Sequence, residues 1–256
     1  MLFRSKDLVL IVPGKETFRS FGDGWSMDDF DAGYAPQRTR LPVYGNVIRC
    51  YGSGKNPILF PKKRIQTTFQ KATKSKITRD LHANTFEIFL NEEDPALDLS
   101  SPILLTDSLT AIYLADTLQT HVTLKKEDVL TSKKEKFRIL YSQPADSVFR
   151  MMMFESDNFL AEQLLLLAAK AGAGSMSDSA GIRQMLEKEL KDIPQKPRWV
   201  DGSGLSRYNL FSPDDLIYVL GKMKKNFGLE RMKRLLPSGG QGTLKNQFIS
   251  EKPYIF

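Results

Sequence analysis

The chain has 256 residues, of which 41% are hydrophobic and 26% are charged. This composition allows one sizeable core, or a core with a small satellite domain, and it excludes wholesale disorder. The single cysteine, Cys50, excludes an internal disulfide, and its apolar neighbours predict a buried thiol. No apolar run approaches the length of a membrane span, and residues 8–12 are too short for the core of a signal peptide, so no export signal is expected in this chain.

Much of the net charge of +7 lies between residues 55 and 79. The cations of this stretch are Lys55, Lys62, Lys63, Arg64, Lys71, Lys74, Lys76 and Arg79. Neither zinc-ligand spacing nor a recognition-helix pattern accompanies them, so a solvated face is favoured over a nucleic-acid interface.

The first half of the chain predicts mainly strands. Residues 8–12 form a first candidate, and residues 22–30 then predict a solvent-facing loop pinned by Trp25 and Phe30. Four acids crowd this loop, but they lack the ligand alternation and late glutamate of a calcium loop. Between residues 41 and 99, short strand patterns separated by Gly, Pro and Asn indicate a small β unit. These candidates are residues 47–51, 58–60, 65–69 and 85–90.

The second half predicts helices, because apolar residues recur there at helical spacing. The predicted helices are residues 108–118, a buried 147–154, 158–170, 178–191, 212–225 and 229–236, with a strand at 137–141. Asp107 or Ser108 is expected to cap the first of them, and Ser212 before Pro213 is a strong helix start. The pattern does not fit a dinucleotide-binding fold.

Three segments carry candidate chemistry. Ser156-Asp157-Asn158 opens the most regular helix, where such residues cap helices or project a hydroxyl and a carboxamide into a cleft. Residues 201–209 place a serine between two glycines, which fits a tight turn. Residues 236–248 are rich in glycine but lack the spacing of a phosphate-binding loop. A Ser-His-Asp mechanism and a zinc site are both disfavoured, because only two histidines exist and both precede these segments.

The order and surroundings of the three segments resemble the class C low-molecular-mass penicillin-binding proteins, the D-alanyl-D-alanine carboxypeptidase/endopeptidase family. The matching stretches are residues 155–164, 201–207 and 239–248, and residues 24–29 and 141–144 resemble neighbouring family segments. The sequence contains neither the S-x-x-K nucleophile motif nor K-T-G. The resemblance implies that the first lies upstream of residue 1 and that the second follows soon after Phe248.

The resemblance implies an α/β fold, part of a serine-transpeptidase/β-lactamase-like lobe with a small inserted β domain. Residues 1–40 are then a linker or the remnant of an upstream inserted domain, 41–100 the inserted β domain, and 101–256 a partial catalytic lobe. Ser156 and Asn158 are expected to be catalytic. Asp201, Gly202, Ser203 and Gly204 are expected to bind substrate or support the cleft. No metal or cofactor is implied.

The implied substrate is a peptidoglycan stem peptide ending in D-Ala-D-Ala, with β-lactams as ligands of the complete enzyme. The family protein is expected in the periplasm or cell envelope, whereas no nucleic acid and no transmembrane segment are implied. The chain alone is expected to be inactive. The alternative is a non-catalytic remnant, or a module that binds peptidoglycan or a partner on the same fold. The choice between carboxypeptidase and endopeptidase, and the oligomeric state, are left open.

Overall fold

The computed structural model describes residues 7–12, 19–126 and 141–249. Contacts between residues divide the chain into two compact units. The described part of the first unit comprises residues 7–12, 19–21 and 26–126, and that of the second comprises residues 22–25 and 141–249. Residues 26–126 of the first unit therefore lie in the chain between the two segments of the second, whereas residues 7–12 and 19–21 precede both.

The described part of the first unit forms three small sheets and one helix. Its elements are β1 (Asp7–Val12), β2 (Val47–Gly52), β3 (Pro57–Phe60), β4 (Gln66–Lys71), β5 (Lys76–Arg79), β6 (Thr85–Leu90), β7 (Leu97–Pro102), α1 (Asp107–Leu118) and β8 (His121–Lys126). β1 and β8 pair in parallel, β3-β2-β7 is an antiparallel sheet, and β4-β6-β5 is a mixed sheet.

Alternating side chains of the two three-stranded sheets build a shared core. Phe86 and Ile88 of β6 are fully buried, and Ile88 joins Cys50 of β2 in one apolar cluster. The predicted burial of Cys50 is confirmed. Tyr113 of α1 packs in a second cluster with Phe86 and Ile48. Because α1 completes this core, residues 101–126 group by their contacts with the β-rich unit.

The four strands predicted between residues 41 and 99 are all present, as β2, β3, β4 and β6. Three strands were missed, because β5 has one apolar residue, β7 mixes Leu with Ser and Asp, and β8 has only two apolar residues and ends in two lysines. Their strand state comes from pairing with neighbours, which composition does not report. The strand predicted at 137–141 falls largely outside the described residues, and Tyr141 is not in a strand.

The basic stretch between residues 55 and 79 ends in a buried arginine. Arg79 is 5% exposed and donates hydrogen bonds to the carbonyl oxygens of Phe30 and Asp80. Its guanidinium also lies 5.3 Å from the centre of the Phe30 ring, so Phe30 pins its loop as predicted. The other seven cations of the stretch are exposed, and the interpretation of a solvated face stays a prediction.

The described part of the second unit is helical. Its helices are α2 (Ala145–Glu155), α3 (Asn158–Ala173), α4 (Asp178–Glu187), α5 (Pro213–Phe227) and α6 (Leu229–Leu235), with one isolated bridge between Arg198 and Leu210. None of the helices in the described residues could span a membrane, given their length and polarity. α4 packs closely on α3, since a Cβ at Gly181 would lie 2.7 Å from that of Ala169.

Three helix predictions need correction. The helix at 147–154 was expected to be buried, but no residue of α2 is buried, and Met151 is 55% exposed. Its neighbours, α3, α6 and a 3-10 turn at Gly242–Leu244, leave much of its surface in solvent. Thr106, rather than Asp107 or Ser108, caps α1, because its hydroxyl accepts the Leu109 amide. α4 ends at Glu187, where irregular turns replace the predicted last turn.

α5 begins with the predicted cap, and its third residue ties the helix to a preceding loop. The Ser212 hydroxyl accepts the Asp215 amide, while Asp215 accepts the Ser212 amide in return. Asp215 also accepts the Gln195 amide at 2.9 Å and is 1% exposed. Burial alone would raise the pKa of this carboxyl, but the hydrogen bonds from Gln195 and Ser212 outweigh it and leave the pKa below its usual value.

We expect Asp215→Asn to lower the melting temperature at neutral pH and to lose this effect in acid. The folded state depresses the pKa of Asp215, so its stabilisation is present above the unfolded pKa of about 3.9 and disappears as the pH falls through the folded pKa. The melting temperatures of the wild type and of Asp215→Asn, measured between about pH 7 and pH 3, should converge as the pH falls. Asp214→Asn, at an exposed neighbour, is the control. A constant difference across this range would contradict the prediction.

Candidate functional site

The junction between α2 and α3 fixes the first candidate segment. Ser156 ends α2 in the left-handed conformation, with φ 53° and ψ 48°. The amide of Asp157 donates to the Met152 carbonyl, and the Asp157 carboxylate accepts the Leu160 amide at 2.9 Å. Asp157 therefore caps α3, as its preferred position predicts.

Ser156 and Asn158 flank this cap and are not enclosed in a core. Ser156 is exposed and Asn158 is partly exposed. Among the residues that the structure describes, no side chain forms a hydrogen bond with the Ser156 hydroxyl. The junction thus presents an exposed serine hydroxyl, with the partly exposed Asn158 two residues later, on a backbone held by two helix ends.

The second candidate segment is a turn organised by the buried carboxylate of Asp201, which is 2% exposed. One carboxylate oxygen accepts the Gly204 amide at 2.9 Å and the Asn209 side-chain amide at 2.7 Å. The other accepts the Ser206 amide at 2.6 Å and the Trp25 indole at 2.9 Å. Asp201 therefore supports the turn, and its carboxylate is fully engaged in the protein rather than offered to a ligand.

Glu162 holds this turn on α3, and sequence reasoning did not single it out. Its carboxylate oxygen Oε1 accepts the amides of Gly202, at 2.9 Å, and Ser203, at 2.8 Å. Glu162 is 1% exposed. The helical periodicity of α3 could have identified it. Glu162 lies four residues before Leu166 and seven before Ala169, so it falls on the same buried stripe of the helix. An acid on that stripe indicates a buried partner.

Gly202 allows the close approach of the turn to α3. A Cβ at this position would lie 2.6 Å from the carbonyl oxygen of Ala161 and 3.2 Å from the Cβ of Leu165. No side chain fits there without a shift of backbone. Ser203 is partly exposed and Gly204 is exposed, so these two, rather than Asp201, form the accessible part of the turn.

Trp25 brings the early loop into this unit. Besides the indole bond to Asp201, the Gly24 carbonyl accepts the Arg207 amide at 3.3 Å. Gly24 has φ 77° and packs against the Tyr208 ring, where a Cβ would lie 2.5 Å from a ring carbon. The prediction that Trp25 pins its loop is confirmed, and the partner is the second candidate segment.

The third segment folds against the end of α2. A Cβ at Gly242 would lie 2.5 Å from the carbonyl oxygen of Phe154, two residues before Ser156. The amide of Gly240 donates to the carbonyls of both Leu244 and Gln247, which closes the glycine-rich turn. The three segments therefore meet around α2 and α3: residues 239–248 contact the helix end before Ser156, and the Asp201 turn contacts the first turns of α3.

Neither histidine belongs to this unit, because His82 and His121 lie in the first. Over residues 7–12, 19–126 and 141–249, no group of three or more His, Cys, Asp or Glu side chains is arranged to hold a metal ion. The chemistry available at the site is that of hydroxyl, carboxamide and backbone groups.

Two crystal structures of penicillin-binding protein 4 from Haemophilus influenzae resemble this fold. The first superposes with a TM-score of 0.70 at 20% sequence identity, and the matched region covers 97% of this chain and 60% of the chain in that structure. The second, in complex with a β-lactam, superposes with a TM-score of 0.61 at 19% sequence identity, and the matched region covers 87% of this chain and 56% of the chain in that structure. The chain thus spans less than two thirds of the length of these proteins. They establish the fold, a mixed helix and sheet fold of the serine penicillin-binding type, as expected from the sequence.

No curated protein sequence matches the chain. A family model does match: it is described as the D-Ala-D-Ala carboxypeptidase 3 (S13) family and extends over residues 19–254. That range contains all three candidate segments, and it confirms the resemblance drawn from them. The chain belongs to the D-Ala-D-Ala carboxypeptidase 3 (S13) family.

Proposed function

We propose that this chain is the part of a serine D-Ala-D-Ala carboxypeptidase/endopeptidase of peptidoglycan metabolism that carries the second of three catalytic motifs. The observation that carries the proposal is the α2–α3 junction, where Asp157 caps α3, Ser156 is exposed and Asn158 is partly exposed. Membership of the family supports the same assignment. We place the complete protein in the periplasm or cell envelope, where its polymer lies.

The residues of this chain have distinct roles in that reaction. Ser156 passes a proton to the leaving amine, and the Asn158 carboxamide holds the backbone of a stem peptide ending in D-Ala-D-Ala. Ser203 and Gly204 form the wall nearby, supported by Asp201 and Gly202. The nucleophilic serine and its lysine, and the lysine that attracts the terminal carboxylate, belong to S-x-x-K and K-T-G, which this sequence does not contain. A β-lactam would occupy the same cleft.

A second candidate is a non-catalytic module that uses the same fold to bind peptidoglycan or a partner. The observation in its favour is the absence of both S-x-x-K and K-T-G from the sequence. The two candidates differ in one measurable property, which is covalent reaction with penicillin after complementation.

We expect the purified chain to form no covalent adduct with a fluorescent penicillin, as judged by a band that survives denaturation. Ser156 has no base hydrogen-bonded to it among the described residues, and an unassisted serine hydroxyl is almost wholly un-ionised at neutral pH. The chain joined to family segments that carry S-x-x-K and K-T-G should be labelled. In that protein, Asn158→Ala should slow acylation by roughly 100-fold, a typical loss for one positioned polar group.

The matched control is Ser179→Ala, which removes an exposed serine from the first turn of α4 and should leave acylation unchanged. If the completed protein is folded and unlabelled, the non-catalytic candidate is correct. A labelled band on the chain alone that Ser156→Ala abolishes would make Ser156 the nucleophile and would refute the proposed role.

A further inference from the structure

The outward face of the sheet β3-β2-β7 carries large apolar side chains. In the strand register, Tyr51 pairs with Ile58 and Arg49 pairs with Phe60. Tyr51, Ile58 and Phe60 are 43%, 48% and 44% exposed, while the alternate residue Cys50 is fully buried. The solvent side of an antiparallel sheet is ordinarily polar. We call the group Arg49, Tyr51, Ile58 and Phe60 the aromatic face.

The aromatic face is held in place from the side. The ring of Tyr44 meets that of Phe60 edge-on, with 4.6 Å between the ring centres, and also lies 5.4 Å from the buried ring of Tyr113. The Tyr44 hydroxyl is hydrogen-bonded to Thr117 of α1. Phe60 is therefore fixed by a chain of rings that ends in the core, and it loses little freedom when a ligand covers it.

Cations surround the aromatic face. Arg49 lies within it, Lys55 lies in the turn between β2 and β3, and Lys62 follows β3, and all three are exposed. No acid occurs in the sequence from residue 55 to residue 79. Two exposed acids lie close to these groups: Asp98 pairs with Tyr51 across the sheet, and Glu92, which forms an ion pair with Lys71, also lies within electrostatic range of Lys55. A partner that matches this surface offers rings or apolar faces together with carboxylates.

We propose that the aromatic face is a docking surface for peptidoglycan, with sugar rings stacked on Tyr51 and Phe60 and stem-peptide carboxylates near Arg49, Lys55 and Lys62. The proposal rests on the proposed function, because it takes the family's own polymer as the occupant. An acidic protein would match the cations, but it would not need two exposed rings on one face of a sheet. This surface lies in the first unit, whereas Ser156 lies in the second.

Co-sedimentation of the chain with purified insoluble peptidoglycan sacculi tests the proposal. Tyr51→Ser combined with Phe60→Ser should weaken binding by about tenfold, because both ring contacts with the sugars are lost. The matched control is Phe69→Ser on β4, which removes a ring that is 51% exposed from the other three-stranded sheet. Arg49→Gln with Lys62→Gln should weaken binding at low salt and have less effect at high salt.

Three outcomes would overturn the proposal: no binding by the wild type, equal losses in the double variant and the Phe69 control, or competition by polyglutamate as effective as that by soluble peptidoglycan fragments. The last result would show that an acidic peptide, rather than the glycan, is the partner. Penicillin acylation of the completed protein is measured separately, so a failure of acylation and a failure of docking are distinguished. Circular dichroism of each variant verifies folding.

Discussion

Asp201→Ala should destabilise the second unit by about 3–5 kcal/mol, because it leaves four donors around a buried position without their acceptor. These donors are the Trp25 indole, the amides of Gly204 and Ser206, and the side-chain amide of Asn209. Each unsatisfied buried donor costs about 1–3 kcal/mol, and water entering the space recovers part of the sum. Asp201→Asn keeps the shape and one acceptor oxygen, so it should fall between the alanine variant and the wild type.

Tryptophan fluorescence during denaturation by urea is a direct measurement of this effect. The chain has two tryptophans. Both donate to Asp201: Trp25 to the carboxylate and Trp199 to the backbone carbonyl at 2.6 Å. Their emission therefore reports the unfolding of the second unit and does not report the unfolding of the first. Asp214→Ala, an exposed acid in the first turn of α5, should cost less than about 1 kcal/mol. Equal midpoints for Asp201→Ala and Asp214→Ala would contradict the role assigned to Asp201.

Gly202→Ala and Gly221→Ala should change stability in opposite directions. At Gly202 the added methyl meets the Ala161 carbonyl, which is backbone of α3 and cannot move without disturbing the helix. Overpacking of this kind costs about 1–3 kcal/mol. Gly221 lies inside α5 with nothing within 4 Å of its Cβ position, so alanine there should stabilise the helix by about 0.5–1 kcal/mol.

The displacement at Gly202 should also reach the site. If the turn moves away from α3, the amides of Gly202 and Ser203 separate from Glu162, and the accessible part of the turn shifts relative to α3. Limited proteolysis should then cut Gly202→Ala faster than the wild type near residues 201–209. Unchanged proteolysis together with unchanged stability would show that the close approach is not required.

Helix positions in the second unit were predictable because their signals are local. Ser212 with Pro213, and Asp157 before an apolar stripe, mark helix starts through hydrogen bonds and dihedral angles that involve only a few neighbouring residues. The same holds for the four strands with strong alternation. β5, β7 and β8 were missed because their strand state depends on partners distant in sequence.

The residues of the candidate site were predictable as motifs, but the sequence did not show which of them are buried supports and which are exposed. Asp201 and Ser203 stand two residues apart in one motif, yet Asp201 is buried as a support and Ser203 is partly exposed. The dependence of the turn on Glu162 and Trp25 joins residues 40 and 176 positions apart. Such pairings are set by the packing of the whole unit, so a single sequence shows the residues without their partners.

The bond between Trp25 and Asp201 also constrains the order of folding. These residues are 176 positions apart, and the first unit occupies most of the chain between them. During synthesis, the segment at residues 22–25 emerges early and must wait until residue 201 has been made. Closing so long a flexible loop is entropically costly, and a first unit that is already folded shortens the flexible part. The β-rich insertion thereby becomes a prerequisite for rapid assembly of the helical unit, and damage to its core should slow that assembly without touching a residue of the site.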